Sequence, residues 1–505
     1  MRNSIEYAAN PIVVELQKDH TMFTKEDIIH YIVNHQIRFV NFMYPAGDGR
    51  LKTLNFVIND LEYLDLILTG GERVDGSSLF NFIPSGSSDL YVIPRFRTAF
   101  LDPFSAQPTL CMLCSFFNRD GQLLESSPEN TLRKATKAFH DVTGMHFQAM
   151  GELEFYVIRP NDNRFNAVDQ RGYHESGPFS KGGEFRKLCM EYLAQAGCSI
   201  KYGHSEVGNF IEDGFNYEQN EIEFLPVPAR EAADQLSIAK WCIRNLAYRE
   251  GVNVTFAPKI TKGKAGSGLH IHMRMMKDGV NQMLVDGKLS DTARTAIAGM
   301  MDVAQSITAF GNKNPMSYFR LVPHQEAPTN VCWGVSNRSA LVRVPLGWTA
   351  KIDMMSQANP QEKQEMRDLS DKQTVEMRSP DGSADVYQLI AGLCVACRHG
   401  FEMEHPLEVA EATFVEGDIH DEAHRKQLSQ LKELPDSCRL PGAPACYPRK
   451  ARSVLTPHDR CHTGRSPWFQ RPHAARRCFQ RSGGYGETRE KIHPLRIKPV
   501  VRTLL

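Results

Sequence analysis

The segment Met150-Gly151-Glu152-Leu153-Glu154-Phe155-Tyr156 constrains this chain more than any other. Side chains alternate along a strand, so Glu152 and Glu154 share one face while Leu153, Phe155 and Val157 share the other. The apolar face belongs to a core. The acidic face then carries two like charges about 7 Å apart, which is costly unless a cation neutralises them. A hard divalent ion, Mg²⁺ or Mn²⁺, meets that need.

The design recurs downstream. Gly268-Leu269-His270-Ile271-His272-Met273 places two histidines on one strand face and Leu269, Ile271 and Met273 on the other. Asn220-Glu221-Ile222-Glu223-Phe224 repeats it with carboxylates, and Val375-Glu376-Met377-Arg378 with an acid and a base. One such segment reads as a solvated sheet face. Four of them, punctuated by Gly and Pro, read as the lining of a single cavity that gathers metal ions.

With 505 residues the chain can bury more than one core, and two domains plus an appendage are expected. Its 41% hydrophobic and 23% charged residues are ordinary for a soluble globular protein. Residues 1–23 lack the basic start and apolar run of a secretory signal, and the longest apolar stretch, 386–397, is shorter than the ~20 residues that cross a bilayer. Twelve cysteines are scattered singly, except Cys111-Met112-Leu113-Cys114 and Cys394-Val395-Ala396-Cys397, whose apolar settings read as buried thiols before zinc ligands. A reduced, cytoplasmic setting is expected. The net charge of zero hides a split: residues 438–505 carry 15 Lys+Arg against 3 Asp+Glu, leaving 44 basic against 56 acidic residues before them.

Thr24 opens a helix over 24–36 with Glu26 and Asp27 in its first turn. A strand over 37–43, with Ile37, Phe39 and Met43 on one face, turns at Ala46-Gly47-Asp48-Gly49 into a second over 51–57. Strands at 89–94 and 109–117 complete a β-rich unit ending near Gly121. Helical patterns at 130–143, 183–196, 230–251, 291–310 and 384–402 then alternate with strands, as in a mixed α+β domain. The glycine-rich loops Lys181-Gly182-Gly183 and 262–268 match no Walker motif. After Leu434-Pro435-Asp436-Ser437 the pattern dissolves into 68 residues with eight prolines and no sustained period.

The order of short motifs carries a resemblance. Val74-Asp75-Gly76-Ser77-Ser78, Gly151-Glu152-Leu153-Glu154-Phe155, His204-Ser205-Glu206-Val207, Gln219-Asn220-Glu221 and the 266–272 segment come first. The 320–328 segment, Asn337-Arg338-Ser339-Ala340, Arg343-Val344-Pro345 and Glu376-Met377-Arg378 follow. Residues 30–437 thus resemble the glutamine synthetase superfamily. The resemblance implies an α+β fold: an N-terminal β-grasp domain (30–120) after a short segment (1–29), then a guanido-kinase-like catalytic domain with a curved antiparallel sheet (121–437). It also implies ATP and two Mg²⁺ or Mn²⁺ ions per site. Glu154, Glu206 and Glu221 would hold one ion, and Glu152, His270 and Glu376 the other.

The implied reaction is phosphoryl transfer to the γ-carboxylate of glutamate, then attack by ammonia. Arg338, Arg343 and Arg378 would clamp phosphate oxygens and His272 would contact the nucleotide. Arg320 and the Gly266 backbone would bind glutamate, with His204 also on the substrate side, and Glu326 would lie on a flap over it. Asp75 and Ser78 of a neighbouring subunit, with Tyr173, would help deprotonate the amine, so a homo-oligomeric ring is implied.

Four features depart from the family pattern. The link between Glu206 and Glu221 is 14 residues, Ala265 replaces a usual asparagine, and Thr374 replaces a basic nucleotide contact. These leave a polyamine or monoamine acceptor as the alternative to ammonia. The basic ending replaces the expected helices and reads as a frameshifted, disordered tail; its rival reading is an extension binding nucleic acid or an anionic surface. The acidic body argues against nucleic acid. An inactive family member would show broken metal ligands, and all six are present, so inactivity would have to come through the ending.

Overall fold

Two sheets, each set by the alternations above, organise the chain. The structure, a computed structural model, describes residues 5–323, 327–421 and 431–434, all within one compact unit. Glu326 and the expected tail lie outside the described residues.

Thr24 caps helix α1 (Lys25–Asn34) through a reciprocal pair: its hydroxyl accepts from the Asp27 N–H, and the Asp27 carboxylate accepts from the Thr24 N–H at 2.7 Å. Strands β1 (Phe39–Pro45) and β2 (Leu51–Val57) form the expected antiparallel hairpin, with Gly49 at φ +70° in the turn. Helix α2 (Leu61–Gly70) leads to β3 (Glu72–Asp75), β4 (Asp89–Pro94) and β5 (Thr109–Phe117). The sheet runs β2-β1-β5-β4-β3, with β1 and β5 parallel.

The first strand is buried on both faces. Val40 and Phe42 join Leu110, Met112 and Cys114 in an N-terminal core, whereas Met43, Cys111 and Leu113 face the larger core of the second sheet. The sheet is sandwiched, which an alternation count in one strand does not reveal. Cys111 and Cys114 are buried free thiols, as are Cys394 and Cys397.

The second sheet is built from β6 (His146–Pro160), β7 (Ile200–Glu212), β8 (Phe215–Phe224), β9 (Leu269–Lys277), β10 (Trp333–Val335), β11 (Val342–Val344) and β12 (Val375–Met377). Its order is β10-β11-β12-β9-β6-β8-β7, antiparallel except for β10 with β11. One face carries Leu153, Phe155, Val157, Ile222, Leu269, Ile271 and Met273 into the main core. Helices α3 (Pro128–Thr143), α4 (Gly183–Gln195), α5 (Ala229–Arg249), α6 (Asp291–Asp302) and α7 (Val386–Glu402) all contribute to that core. The expected helix over 291–310 is broken at Val303, whose ψ of 17° separates α6 from Ala304–Gly311. Where α5 crosses β6, a Cβ on Gly151 would stand 2.8 Å from the Leu236 side chain and force it to shift.

A buried ion pair ties the two sheets together. Arg95, just after β4, donates to Asp234 of α5 through Nη1 at 2.7 Å and Nη2 at 2.8 Å, and the Tyr387 hydroxyl donates to the same carboxylate at 2.7 Å.

Candidate active site

Strand register brings the ionisable residues of the second sheet into one array. Glu152 stands opposite His270 on one side and Glu223 on the other, and Glu154 opposite Glu221. His272 pairs with Glu376, Glu376 with Arg343, and Glu221 with His204. Four alternating segments from distant parts of the chain thus present their polar faces together, opposite a largely apolar face.

Three groups of possible ligand atoms lie within 4.8 Å of one another: Glu152/His270/Glu376, Glu152/Glu223/His272 and His204/Glu206/Glu221. The first is one of the expected ion sites. The second expected set is brought together differently. Glu206 and Glu221 gather with His204, while Glu154 accepts from Gln219 Nε2 and from the Gly268 N–H, both at 2.8 Å. His270 Nε2 lies 3.9 Å from the other Glu154 oxygen.

The electrostatics fit a hard cation. Burial, and then the like charges of Glu152, Glu154, Glu206 and Glu223, push the Glu221 carboxyl well above its ordinary range. Burial also works against Glu152, but His272 and His270 at 2.8 and 2.9 Å outweigh it and hold that carboxylate well below the usual range. A divalent ion would relieve the repulsion at Glu221 that no described lysine or arginine ion pair offsets. Accordingly, Mg²⁺ or Mn²⁺ at a hundred times its dissociation constant should add about 2.7 kcal/mol to unfolding free energy, with EDTA reversing it. Differential scanning calorimetry checks this; an unfolding temperature indifferent to both ions would count against a metal centre.

Guanidinium groups line the same array. Arg343 Nη1 and Arg378 Nε each donate to Glu376 at 3.0 Å, and Arg378 also donates to the Arg338 carbonyl. Arg338 lies over the Tyr173 ring at 5.6 Å, and Tyr173 stacks on His174 at 4.2 Å beside His204. A cavity of about 420 Å³ opens here, lined by His174, Arg186, His204 and Ser205 among others. Arg320 is 3% exposed, donates to the Ser379 carbonyl at 2.9 Å, and places Nη2 3.1 Å from His270 Nε2. His272 Nδ1 lies 2.8 Å from the Thr374 hydroxyl.

Gly266 and Gly268 have no space for a side chain. A Cβ on Gly268 would stand 2.5 Å from Arg320 Nη2 and 2.7 Å from His270 Nε2. Gly268→Ala should therefore displace both groups and lower kcat/KM by about 10–100-fold, the usual cost of disturbing such supporting contacts. Steady-state kinetics reads the effect; unchanged kinetics would mean neither group takes part in turnover.

Asp75 and Ser78 are placed elsewhere and are exposed, Asp75 at the end of β3 and Ser78 in the short helical turn Gly76–Leu79. Hydrogen bonds from Ser78 and then Ser77 hold the Asp75 carboxyl far below its usual range. The loop Lys181-Gly182 cradles an internal carboxylate: Glu218 accepts from the Lys181 N–H at 2.7 Å, the Gly182 N–H at 2.8 Å and Ser180 Oγ at 2.7 Å. Ala265 is held by its backbone, its carbonyl accepting from Tyr156 Oη at 2.9 Å.

Sequence reasoning missed two participants. Gln219 shares the period-2 face of Glu221 and Glu223, a signal that could have found it. Lys201, which donates to Glu223 at 2.6 Å, follows no pattern along the chain and is set beside it only by strand pairing.

Comparison with known proteins follows the same division of the chain. The family profile described as "Glutamine synthetase, catalytic domain" matches residues 125–440, and "Glutamine synthetase, beta-Grasp domain" matches 36–119. Glutamine synthetase of Clostridium saccharobutylicum is 29% identical over 402 residues, covering 78% of this chain and 83% of that protein. That of Frankia alni is 31% identical over 412 residues, covering 74% and 81%. Among solved structures, one titled GmaS/ADP complex superposes with TM-score 0.65 at 19% identity, covering 81% of this chain and 89% of that one. The Plasmodium falciparum glutamine synthetase structure gives 0.64 at 19%, covering 76% of each. Two profiles in the right order, together spanning both sheets and every strand of the ionisable array, show that this chain belongs to the glutamine synthetase family.

Proposed function

We propose that this protein joins ammonia to the γ-carboxylate of L-glutamate at the expense of ATP, through γ-glutamyl phosphate. The observation that supports it most is the single polar face where Glu152, Glu221, His270 and Glu376 meet Arg320, Arg343 and Arg378. Two divalent ions held there, one by Glu152, His270 and Glu376 and one by Glu154, Glu206 and Glu221, would neutralise phosphate charge.

The residues of this chain supply the rest. Arg343 and Arg378, now paired to Glu376, turn to the oxygens of the transferring phosphoryl group, with Arg338 beside them. A glutamate γ-carboxylate oxygen bonds to the γ-phosphorus as the bond to ADP breaks. Arg320, fixed by three backbone carbonyls, offers its guanidinium to the glutamate α-carboxylate next to the Gly266 backbone. His272 contacts the nucleotide phosphates. The amine nitrogen then bonds to the acyl carbon and phosphate leaves. The surplus proton of the amine nitrogen passes to Asp75 of a neighbouring subunit, assisted by Ser78 and Tyr173. Glu326 would close over the glutamate.

A second reading, a larger amine acceptor, is favoured by the wall of Tyr173, His174, Tyr202 and His204 rings beside Glu206 and Glu221. Such a wall suits an alkylammonium group. ADP release by the whole chain with glutamate and Mg²⁺ or Mn²⁺ distinguishes the readings. Ammonia is expected to support saturable turnover. Preference for methylamine, ethanolamine or putrescine would transfer the assignment to a γ-glutamylamine ligase, and silence with every amine would overturn both.

A further inference from the structure

A second cavity, also of about 420 Å³, lies away from the sheet face, between the N-terminal segment, the first sheet and the starts of α3 and α5. Four of its lining side chains are arginines: Arg95, Arg97, Arg133 and Arg230. Guanidiniums gathered so closely repel unless carboxylates match them. Asp234 takes Arg95 through two bonds and lies 3.5 Å from Arg97. Glu129 accepts from Arg230 Nε at 3.0 Å and from Ser115 Oγ at 3.2 Å. The next carboxylate, Glu231, is engaged by His20 at 3.5 Å.

Four cations therefore share two carboxylates directly, with Glu231 divided between Arg97 and His20. Arg133 donates to the neutral Asn130 Oδ1 at 3.2 Å and forms no ion pair among the described residues. The Arg95 side chain is only 9% exposed, yet its Nε has no hydrogen-bond partner among the described residues. Burial, and then the charges of Arg95 and Arg230, push the Arg97 guanidinium below its ordinary value against the pull of Asp234 and Glu231. The first turns of α3 and α5, at Glu129 and Arg230, add the positive ends of two helix dipoles.

The geometry points to an anion site in this cavity, for a small ligand bearing two negative charges, as a phosphate group or as paired carboxylates. The surplus of positive charge sets the sign of the ligand's charge, and the volume is that of a small-molecule site. Its occupant would touch Arg97 from the turn after β4 and Arg133 and Arg230 from the helices packed on the second sheet. It would thereby brace the junction already tied by Arg95 and Asp234.

The test is calorimetric titration of the full chain in EDTA with inorganic phosphate and, separately, with succinate. Each titration is repeated on Arg133→Glu and Arg97→Ala. At least one anion should bind the parent chain, and both variants should weaken it by tenfold or more. The readout is the difference between chains, so an anion held at the ionisable array cancels. Arg133 is exposed on a helix, so Arg133→Glu should fold; an unchanged ligand-free unfolding temperature verifies that. Phosphate alone would mark a phosphate site, succinate alone a dicarboxylate site, and both a site that reads charge. Binding of neither anion, or equal binding by parent and variants, overturns the assignment.

Discussion

Glu376→Gln should reduce turnover by about 10³-fold while leaving the fold intact. Glu376 is 1% exposed and sits where three requirements meet. It accepts from Arg343 and Arg378 at 3.0 Å each, and its Oε1 lies 3.5 Å from His270 Nδ1. The amide keeps the volume but removes the charge. Two guanidiniums lose their counter-charge, and the Glu152/His270/Glu376 group falls to one carboxylate. The first change loosens the positioning of Arg343 and Arg378, and the second weakens the metal-held neutralisation that a phosphoryl transfer needs. ADP release measures the loss, and Mn²⁺ titration by paramagnetic resonance should show one ion fewer, or more weakly held. Turnover within threefold of the parent would remove this array from the reaction.

The largest effect on stability is expected from Arg95→Met. The Asp234 carboxylate, 6% exposed, would keep only Tyr387 and the 3.5 Å approach of Arg97. Breaking a buried pair by removing one partner costs about 3–5 kcal/mol, because the remaining charge stays buried. The midpoint of urea unfolding should fall accordingly. pH supplies a second reading. Burial pushes the Asp234 carboxyl up, but the charges and hydrogen bonds of Arg95, with Arg97 and Tyr387, outweigh it and hold it below its usual value. A depressed carboxyl contributes stability that is complete above the ordinary carboxylate pKa of about 3.9 and lost as pH falls through the folded-state value. The gap between parent and variant should therefore narrow below about pH 4. A gap independent of acid pH would mean the pair contributes packing alone.

Both experiments address features of different legibility. Glu376 was visible as one member of a repeated alternation, since a period of two in Glu152/Glu154, Glu221/Glu223 and His270/His272 needs only local sequence to be read. The same local logic placed the α1 cap at Thr24 and the hairpin after Gly49, where a few neighbouring residues settle the backbone. It failed where neighbours in space decide. The alternation puts Ile37, Phe39 and Met43 on one face of the first strand, but packing on both sides of its sheet puts Met43 in one core and Ile37, Val40 and Phe42 in the other. The helix over 291–310 kept its apolar period through Val303, where the backbone turns out of the helix.

What the chain alone determined is which residues share a face, because side-chain direction along a strand or helix follows from backbone period. It also carried the resemblance to the family, through the order of nine short motifs. What only the tertiary structure decided is who stands beside whom. Lys201 reaches Glu223, His204 joins Glu206 and Glu221, and Arg95 meets Asp234 across 139 positions of sequence. The same holds for the four arginines around the second cavity, drawn from three separate segments. Such pairings come from strand register and from helices crossing a sheet, which are set by the summed packing of a whole core. No short window of sequence carries that sum.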